Sequence, residues 1–234
     1  MKDTKFYDRE SSAYSKKRYP LVDTDYLHFF FKKRLKILLS YLDFIPKGKG
    51  GMKLLEIGCA DGVILRAISE HTESFSEMLG IDISPKMIEV AKSETSDKNI
   101  SFSLRNYQEI GVFDVILEIG VLNFNDLEKE LTFVKRHLKK EGYYICSIAS
   151  GTSLRARLKS DGDDGSGHFL NFTDYDREFK KHFKILKSTN YGLFIPLLWK
   201  IPIIARIVQP IFDNLFELLS SRLLHEKIYL LSNK

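Results

Sequence analysis

Between Thr24 and Leu42 the apolar residues Leu27, Phe30, Phe31, Leu35, Leu38 and Leu42 recur at helical spacing, with Lys32, Lys33 and Lys36 among them. This pattern predicts an amphipathic helix, ended by Pro46 and the Lys47–Gly51 run. Beyond that turn, short apolar runs alternate with helical ones. Strands are expected at Lys53–Ile57, Met78–Ile81, Ile100–Leu104, Phe113–Leu117 and Tyr143–Ala149. Helices are expected from Val63 to about His71, from Ser84-Pro85 through Lys92, and over Asp126–Leu138, the last closed by Lys139–Gly142. Proline suits a first helical turn because its missing donor is not needed there. The βαβα alternation predicts a mainly parallel sheet with helices on both faces.

On either side the pattern loosens. Residues 1–22 are polar and tyrosine-rich (Tyr7, Tyr14, Tyr19), as expected of an irregular or briefly helical arm. Gly151–Gly167 breaks the alternation with a loop rich in Gly and Asp. A helix near Thr173–Lys181, a strand near Phe183–Thr189 and a final short strand at Lys227–Leu231 follow. Between the last two strands lies an apolar insertion, Tyr191–Leu224. Lys200, Arg206, Pro196 and Pro202 interrupt its first part, so it does not read as a membrane span. From Pro210 on, Phe212, Leu215, Phe216, Leu219 and Leu223 share one helical face opposite Asp213, Glu217 and Ser220. That face could cap an acceptor pocket, which is the first expectation, lie on a membrane, or form a homodimer interface. The chain thus divides into an arm and helix (1–46), a central core (47–150), and a C-terminal part of the same domain (151–234) that carries the loop and the insertion.

Composition narrows the class. The chain has 234 residues, 44% hydrophobic and 29% charged, as a soluble globular domain with one α/β core would. Cys59 and Cys146 form no CxxC or Cys/His pattern, so neither a disulfide framework nor a metal site is expected. The polar start, Met1–Lys5, has no apolar signal segment, and a cytoplasmic location, with peripheral membrane contact as the alternative, is the expectation. The net charge of +5 is uneven: residues 1–50 hold 12 Lys/Arg against 6 Asp/Glu. A solvated helix face explains this first; an anionic membrane or nucleic acid is the less favoured partner.

The chemistry gathers at Leu54-Leu55-Glu56-Ile57-Gly58-Cys59-Ala60-Asp61-Gly62. A buried strand ends here in small residues that turn into a helix, which lets backbone approach a ligand at the carboxyl edge of the sheet. Asp82, at the end of the next strand, can accept hydrogen bonds from both hydroxyls of a ribose. A dinucleotide fingerprint would need glycine at Val63, and Glu56 would repel a pyrophosphate. The same carboxylate suits a ligand that carries an ammonium and a sulfonium. Cys59 reads as a small buried residue of the turn.

These segments resemble class I S-adenosylmethionine-dependent methyltransferases. Leu54–Gly62 is similar to their first motif and Leu79–Ser84 to their second; Phe113–Leu122 resembles the fourth-strand motif and Leu138–Tyr143 the turn before the fifth strand. The resemblance covers about residues 50–150. The outer parts are similar in outline to methyltransferases of small-molecule or surface-polysaccharide pathways. It implies a Rossmann-like seven-stranded, mostly parallel sheet of order 3-2-1-4-5-7-6, with the helical insertion before the last strand. It further implies that Gly58 and the Cys59, Ala60, Asp61 and Gly62 backbone pass under the methionine and ribose of the cofactor, with Glu56 near its amino group. Asp82 would hold the ribose with Ile83 beside the adenine, Asn106 and Tyr107 would meet the adenine, and Glu118 and Ile119 would line the fourth-strand end. Ala60 stands where glycine is usual and Asn106 where an acid is common; the Asn106 amide oxygen can still accept.

Methyl transfer needs no dedicated base for many acceptors, but a hydroxyl acceptor profits from one, and His168 after the Gly-rich loop is the candidate. Tyr14, Arg18 and Tyr19 are candidates for a lid. No Asn/Asp-Pro-Pro-Tyr/Phe sequence follows the fourth strand, which disfavours amino methylation of bases, and no Pro-Cys pair serves cytosine chemistry. The expectation is methyl transfer to a small-molecule, sugar or lipid-linked acceptor, at oxygen. An RNA or protein methyltransferase is the enzymatic alternative, and a catalytically silent cofactor-binding protein the alternative of another class.

Overall fold

The computed structural model describes residues 4–20, 26–48, 51–105, 110–157, 169–194 and 223–234, with positions 201, 203–204, 207–208, 211–212 and 215 between the last two stretches. The arm is helical: α1 (Thr4–Glu10), a 3-10 turn (Ser11–Ala13) and α2 (Tyr14–Arg18) precede α3 (Tyr26–Phe44). The core follows as β1 (Met52–Ile57), α4 (Val63–His71), β2 (Phe75–Asp82), α5 (Pro85–Glu94), β3 (Ile100–Leu104), β4 (Phe113–Ile119), α6 (Leu127–His137) and β5 (Leu138–Ala149). After α7 (Leu154–Arg157) come α8 (Phe172–His182), β6 (Phe183–Tyr191) and β7 (Glu226–Asn233). The strands form one sheet of order β3-β2-β1-β4-β5-β7-β6, in which β7 runs antiparallel to both its neighbours and the other pairs are parallel.

Strand alternation divides the core into two faces. Leu54, Val115, Leu117, Ile145, Ile228 and Leu230 face α3, α4 and α5, where Phe30, Leu38, Ile64, Leu65 and Ile88 cover them. Leu55, Ile116, Tyr144, Cys146, Tyr229 and Leu231 face α6 and α8, against Leu131, Val134, Tyr175 and Phe179. Side-chain caps fix where helices begin: Ser84 Oγ accepts from Met87 N with Pro85 at the first helical position, Asp126 accepts from Lys129 N, and Asn171 from Asp174 N.

One boundary departs from the sequence pattern. Lys139–Gly142, expected as a turn, belongs to β5, which starts at Leu138 directly after α6. Leu138 pairs with Phe113, and an irregularity between Phe113 and Val115 absorbs the extra residues. Lys139 Nζ binds Asp114 at 2.8 Å, and Asn233 of β7 donates to the Lys139 carbonyl at 3.0 Å. These long-range partners override the local turn signal.

Candidate functional site

Strand order reverses at β1, from which the chain runs outward to β2 and β3 on one side and to β4 and β5 on the other, and ligands of open α/β sheets bind at such a point beyond the carboxyl ends of the strands. A cavity of about 180 Å³ lies there, lined by Gly58, Ala60, Asp82, Ile83, Met87, Arg105, Gly120, Val121, Phe124 and Asn125, with Tyr7 and Tyr14 from the arm. A wider groove of about 510 Å³ runs outside α6 and, among the described residues, shares only Phe124 and Asn125 with it. The remaining walls of that groove include the exposed, charged Asp126, Glu128, Lys129 and Arg136. Buried Glu130 also lines that groove, but its carboxylate is held by Arg105, and among the described residues no strand end opens into it, so the cavity at the sheet edge is the candidate site.

The turn after β1 is drawn against β2. Gly58 N and Cys59 N both donate to the Ile81 carbonyl, at 2.7 and 3.1 Å. Gly58 has φ +74°, and a Cβ there would stand 2.4 Å from Val121 Cγ2 at the end of β4, so the backbone passes where no side chain fits. Ala60, with φ +48°, also occupies the left-handed region, a conformation a side chain disfavours. Its N–H is tied to Asp82 Oδ2 at 2.9 Å, and the other Asp82 oxygen accepts from Ser84 N at 2.9 Å. Gly58→Ala is therefore expected to lower stability by about 1–3 kcal/mol, read as a urea midpoint shift. A midpoint equal to the wild type's would mean the turn relaxes freely.

Three carboxylates converge at this corner. Glu56 and Asp61 are each 1% exposed, and Glu56 Oε2 and Asp61 Oδ1 have no hydrogen-bond partner. Burial, with repulsion from Asp82 and Asp61, pushes the Glu56 carboxyl up to about 8. Burial also raises Asp82, against the lowering effect of the Ser84 and Ala60 N–H groups. The Cys59 thiol is pushed well up by burial, which suits a packing residue rather than a nucleophile.

The arm is seated on this corner. Ser15 N donates to Asp61 Oδ2 at 2.9 Å, and Ser84 Oγ donates to Asp8 Oδ1 at 2.6 Å. Of the lid candidates, Tyr14 lines the cavity, the Arg18 guanidinium stacks 3.8 Å from the Tyr14 ring centroid, and Tyr19 packs on Phe31 with its hydroxyl accepting from Arg34 at 3.4 Å.

The remaining sequence candidates fall in several places. Gly62, with φ +77°, begins α4 beneath the turn. Glu118 accepts from Tyr144 Oη at 2.7 Å and, at 3.2 Å, from Nδ2 of Asn125, which lines the cavity; burial, with Glu130 nearby, raises it to about 8. Ile119 packs in the core, and Gly120 and Val121 form the cavity wall at this strand end. Asn106, Tyr107 and His168 lie outside the described residues. No histidine lines the cavity among the described residues: His137 Nδ1 meets the Gly111 carbonyl, and His71 pairs with Asp43. Sequence reasoning passed over Tyr7, Met87, Arg105, Phe124 and Asn125 as lining residues. Arg105 is held by Glu130 at 2.6 Å in a buried ion pair. Its position directly after β3 was the only signal for it.

Residues 48–186 match the methyltransferase domain family. The chain belongs to that family. It is 28% identical over 120 residues to a malonyl-[acyl-carrier protein] O-methyltransferase of Bacillus anthracis, covering 50% of this chain and 44% of that one. It is 32% identical over 135 residues to the ribosomal protein L11 methyltransferase of Dictyoglomus thermophilum, covering 54% and 40%. The matches thus span less than half the length of these curated relatives. Among solved structures, Haemonchus contortus phosphoethanolamine N-methyltransferase 2 in complex with S-adenosyl-L-methionine is similar in fold, with a TM-score of 0.59 at 17% identity over 85% of this chain and 52% of that one.

The cofactor of this fold, S-adenosylmethionine, suits the residues present. Unpartnered buried carboxylate oxygens on Glu56 and Asp61 are costly as they stand and would be relieved by a cationic amino group. The Gly58 backbone, two residues after Glu56, lines the cavity.

Proposed function

We propose that this methyltransferase-family protein methylates a small-molecule, sugar or lipid-linked acceptor at an oxygen atom. The observation that carries the reading is the pair of unpartnered, buried carboxylate oxygens on Glu56 and Asp61, which flank in sequence the Gly58 and Ala60 that line a largely apolar cavity. S-adenosylmethionine supplies, when bound, a methyl group on a positively charged sulfur already activated toward displacement. Glu56 and Asp61 would hold its amino group, Asp82 its ribose hydroxyls, and Ile83 and Met87 would lie beside its adenine. Tyr7, Tyr14 and Phe124 exclude water, so the reacting atoms meet in a dry, preset arrangement, and positioning then carries much of the rate.

The acceptor reading draws support from the arm seated over the cavity through Ser15 and Asp8, which suits a small group or the end of a thin chain better than a folded macromolecule. The relative named for methylating an oxygen of an acyl-carrier-bound malonyl group points the same way. The sequence Glu118-Ile119-Gly120-Val121 after β4 lacks the Asn/Asp-Pro-Pro-Tyr/Phe pattern of base amino methylation. An oxygen acceptor that starts as a hydroxyl must lose a proton, and His168 is our candidate to take it. His168→Ala should then lower turnover about 100-fold while leaving S-adenosylhomocysteine affinity unchanged by calorimetry. Equal turnover would remove His168 from the reaction.

Incubation with methyl-labelled S-adenosylmethionine and separated pools of lipid, small molecules, RNA and protein tests the whole reading. Label is expected in the lipid or small-molecule pool. Label in RNA or protein would instead favour the second reading, for which the excess of Lys/Arg in residues 1–50 is the supporting observation. Cofactor binding without S-adenosylhomocysteine formation from any pool would make the protein a silent binder.

A further inference from the structure

Arg34, in the middle of α3, is buried, and its donors are poorly used. A guanidinium carries five N–H donors in a fixed fork. Among the described residues this one makes a single hydrogen bond, from Nη2 to Tyr19 Oη at the long distance of 3.4 Å. Its Nη1 stands 3.6 Å from Glu226 Oε1, close enough to balance charge but beyond hydrogen-bond length, and its Nε has no hydrogen-bond partner. Glu226 balances the charge, then, without filling the donors. Phe31 closes one face of the guanidinium, with the ring centroid 4.6 Å away. A charged group buried with its donors unspent is costly, and the missing partner is one the chain itself does not supply.

The guanidinium stands at the cavity wall. A Cβ on Gly120 would lie 2.9 Å from Arg34 Nη1, and Gly120 lines the cavity at the end of β4. The next residue, Val121, abuts Gly58 of the turn after β1, where a Cβ would meet Val121 Cγ2 at 2.4 Å. Arg34 is thus beside the corner at which Glu56 and Asp61 hold unpartnered carboxylate oxygens. Its charge is felt at Glu56, where it works against the rise that burial causes. The other arginines of the region are committed elsewhere. Arg105 follows β3, at the opposite end of the cavity, and is bound to Glu130 at 2.6 Å; Arg18 lies on the Tyr14 ring and donates to the Tyr14 carbonyl at 3.3 Å. With Asp82 on the ribose and Ile83 and Met87 beside the adenine, the methionine part of the cofactor falls to the Gly58–Gly120 end. That part carries an amino group and a carboxylate on one carbon. Glu56 and Asp61 suit the first and repel the second, so the second needs a cation with free donors.

We propose that Arg34 receives the α-carboxylate of the cofactor, so that the methionine end is held as a zwitterion between the Glu56–Asp61 corner and the guanidinium. The inference rests on the reading of this cavity as the S-adenosylmethionine site. Calorimetry on the full chain compares S-adenosylmethionine with its decarboxylated form, which keeps the amino group and lacks the carboxylate. The wild type is expected to prefer S-adenosylmethionine about 10–100-fold, the range for a charge-assisted bond. Arg34→Met should abolish the preference by weakening S-adenosylmethionine alone. Arg34→Lys, which keeps the charge without the planar fork, should recover part of it. Glu226→Gln breaks the ion pair, spares the guanidinium, and should keep the preference. Retained binding of the decarboxylated form shows that Arg34→Met is folded; should it bind neither ligand, Arg34→Lys decides. A wild type without preference, an undiminished preference in a folded Arg34 variant, or equal weakening of both ligands by Arg34→Lys overturns the inference and leaves the cofactor site standing. Loss of the preference in Glu226→Gln also overturns it, because the pair and not the guanidinium would then matter. A wild type that binds neither ligand removes the cofactor reading and this inference with it.

Discussion

Glu56→Gln is expected to raise the melting temperature of the cofactor-free protein while weakening its hold on S-adenosylmethionine. The wild-type carboxyl, with one oxygen unpartnered, is pushed up to about 8 by burial and by Asp82 and Asp61. A carboxyl that holds its proton more tightly folded than unfolded contributes stability that is complete below its unfolded value of about 4.5. That contribution disappears as pH rises through 8, so the free protein should soften steadily across neutral pH. The neutral amide never ionises and can donate to the neighbouring carboxylates. At pH 8 the variant should be more stable by up to about 3–4 kcal/mol, which for a chain of this size corresponds to about 2–4 °C per kcal/mol. Glu118, also raised to about 8, keeps part of the pH slope in the variant. Cofactor affinity should fall about 10–100-fold, the range for a lost charge-assisted bond. In the wild type, affinity should climb between pH 6 and 8 as Glu56 ionises, whereas adenosine, which lacks the amino group, should show no such rise. Thermal scans and calorimetry across pH 5–9 measure both. A less stable free variant, or an unchanged dissociation constant, would refute the role given to Glu56.

The contrast explains which parts of this protein are legible from sequence. The sheet was readable because each strand repeats a two-residue alternation: Leu54 against Leu55, Val115 against Ile116, Ile145 against Cys146 each send neighbours to opposite faces. Six of the seven strands appear within three residues of their expected ends, the longest early start being Phe75 of β2. β5 is the exception, because its first residues are set by pairing with Phe113 and by Asn233 rather than by local preference. The corner at Gly58–Gly62 was readable because its glycines are demanded by backbone geometry. By contrast, the seating of the arm depends on Ser15 meeting Asp61 and Asp8 meeting Ser84, pairs 46 and 76 residues apart with no periodic trace. The environment of Glu118 was equally hidden. It shares its face with Ile116, toward Tyr144, and is linked to the cavity wall through Asn125. The insertion was legible as apolar, but the exposure of Ile203, Ile207 and Ile211 within it was not, since periodicity defines a stripe without saying what it faces.

Asp82→Ala should lose both cofactor and stability, and comparison with Asp82→Asn separates the two losses. Asp82 is 8% exposed, and its two oxygens accept from the N–H groups of Ala60 and Ser84, each at 2.9 Å. Truncation leaves two buried donors unpaired, which costs about 1–3 kcal/mol apiece. It also frees Ala60 from the bond that holds its left-handed φ of +48°. A stability loss of about 2–5 kcal/mol in urea is expected. Cofactor affinity should fall a further 10–100-fold if the same oxygens also receive the ribose hydroxyls. Asparagine keeps one acceptor and turns a donor toward the second N–H. It should restore part of the binding while leaving most of the stability loss in place. If the alanine variant keeps the wild-type midpoint, the turn after β1 is held by Gly58 and Cys59 on the Ile81 carbonyl alone. If it keeps the wild-type dissociation constant, Asp82 is a structural clamp and the ribose lies elsewhere along the edge formed by Ile83 and Met87.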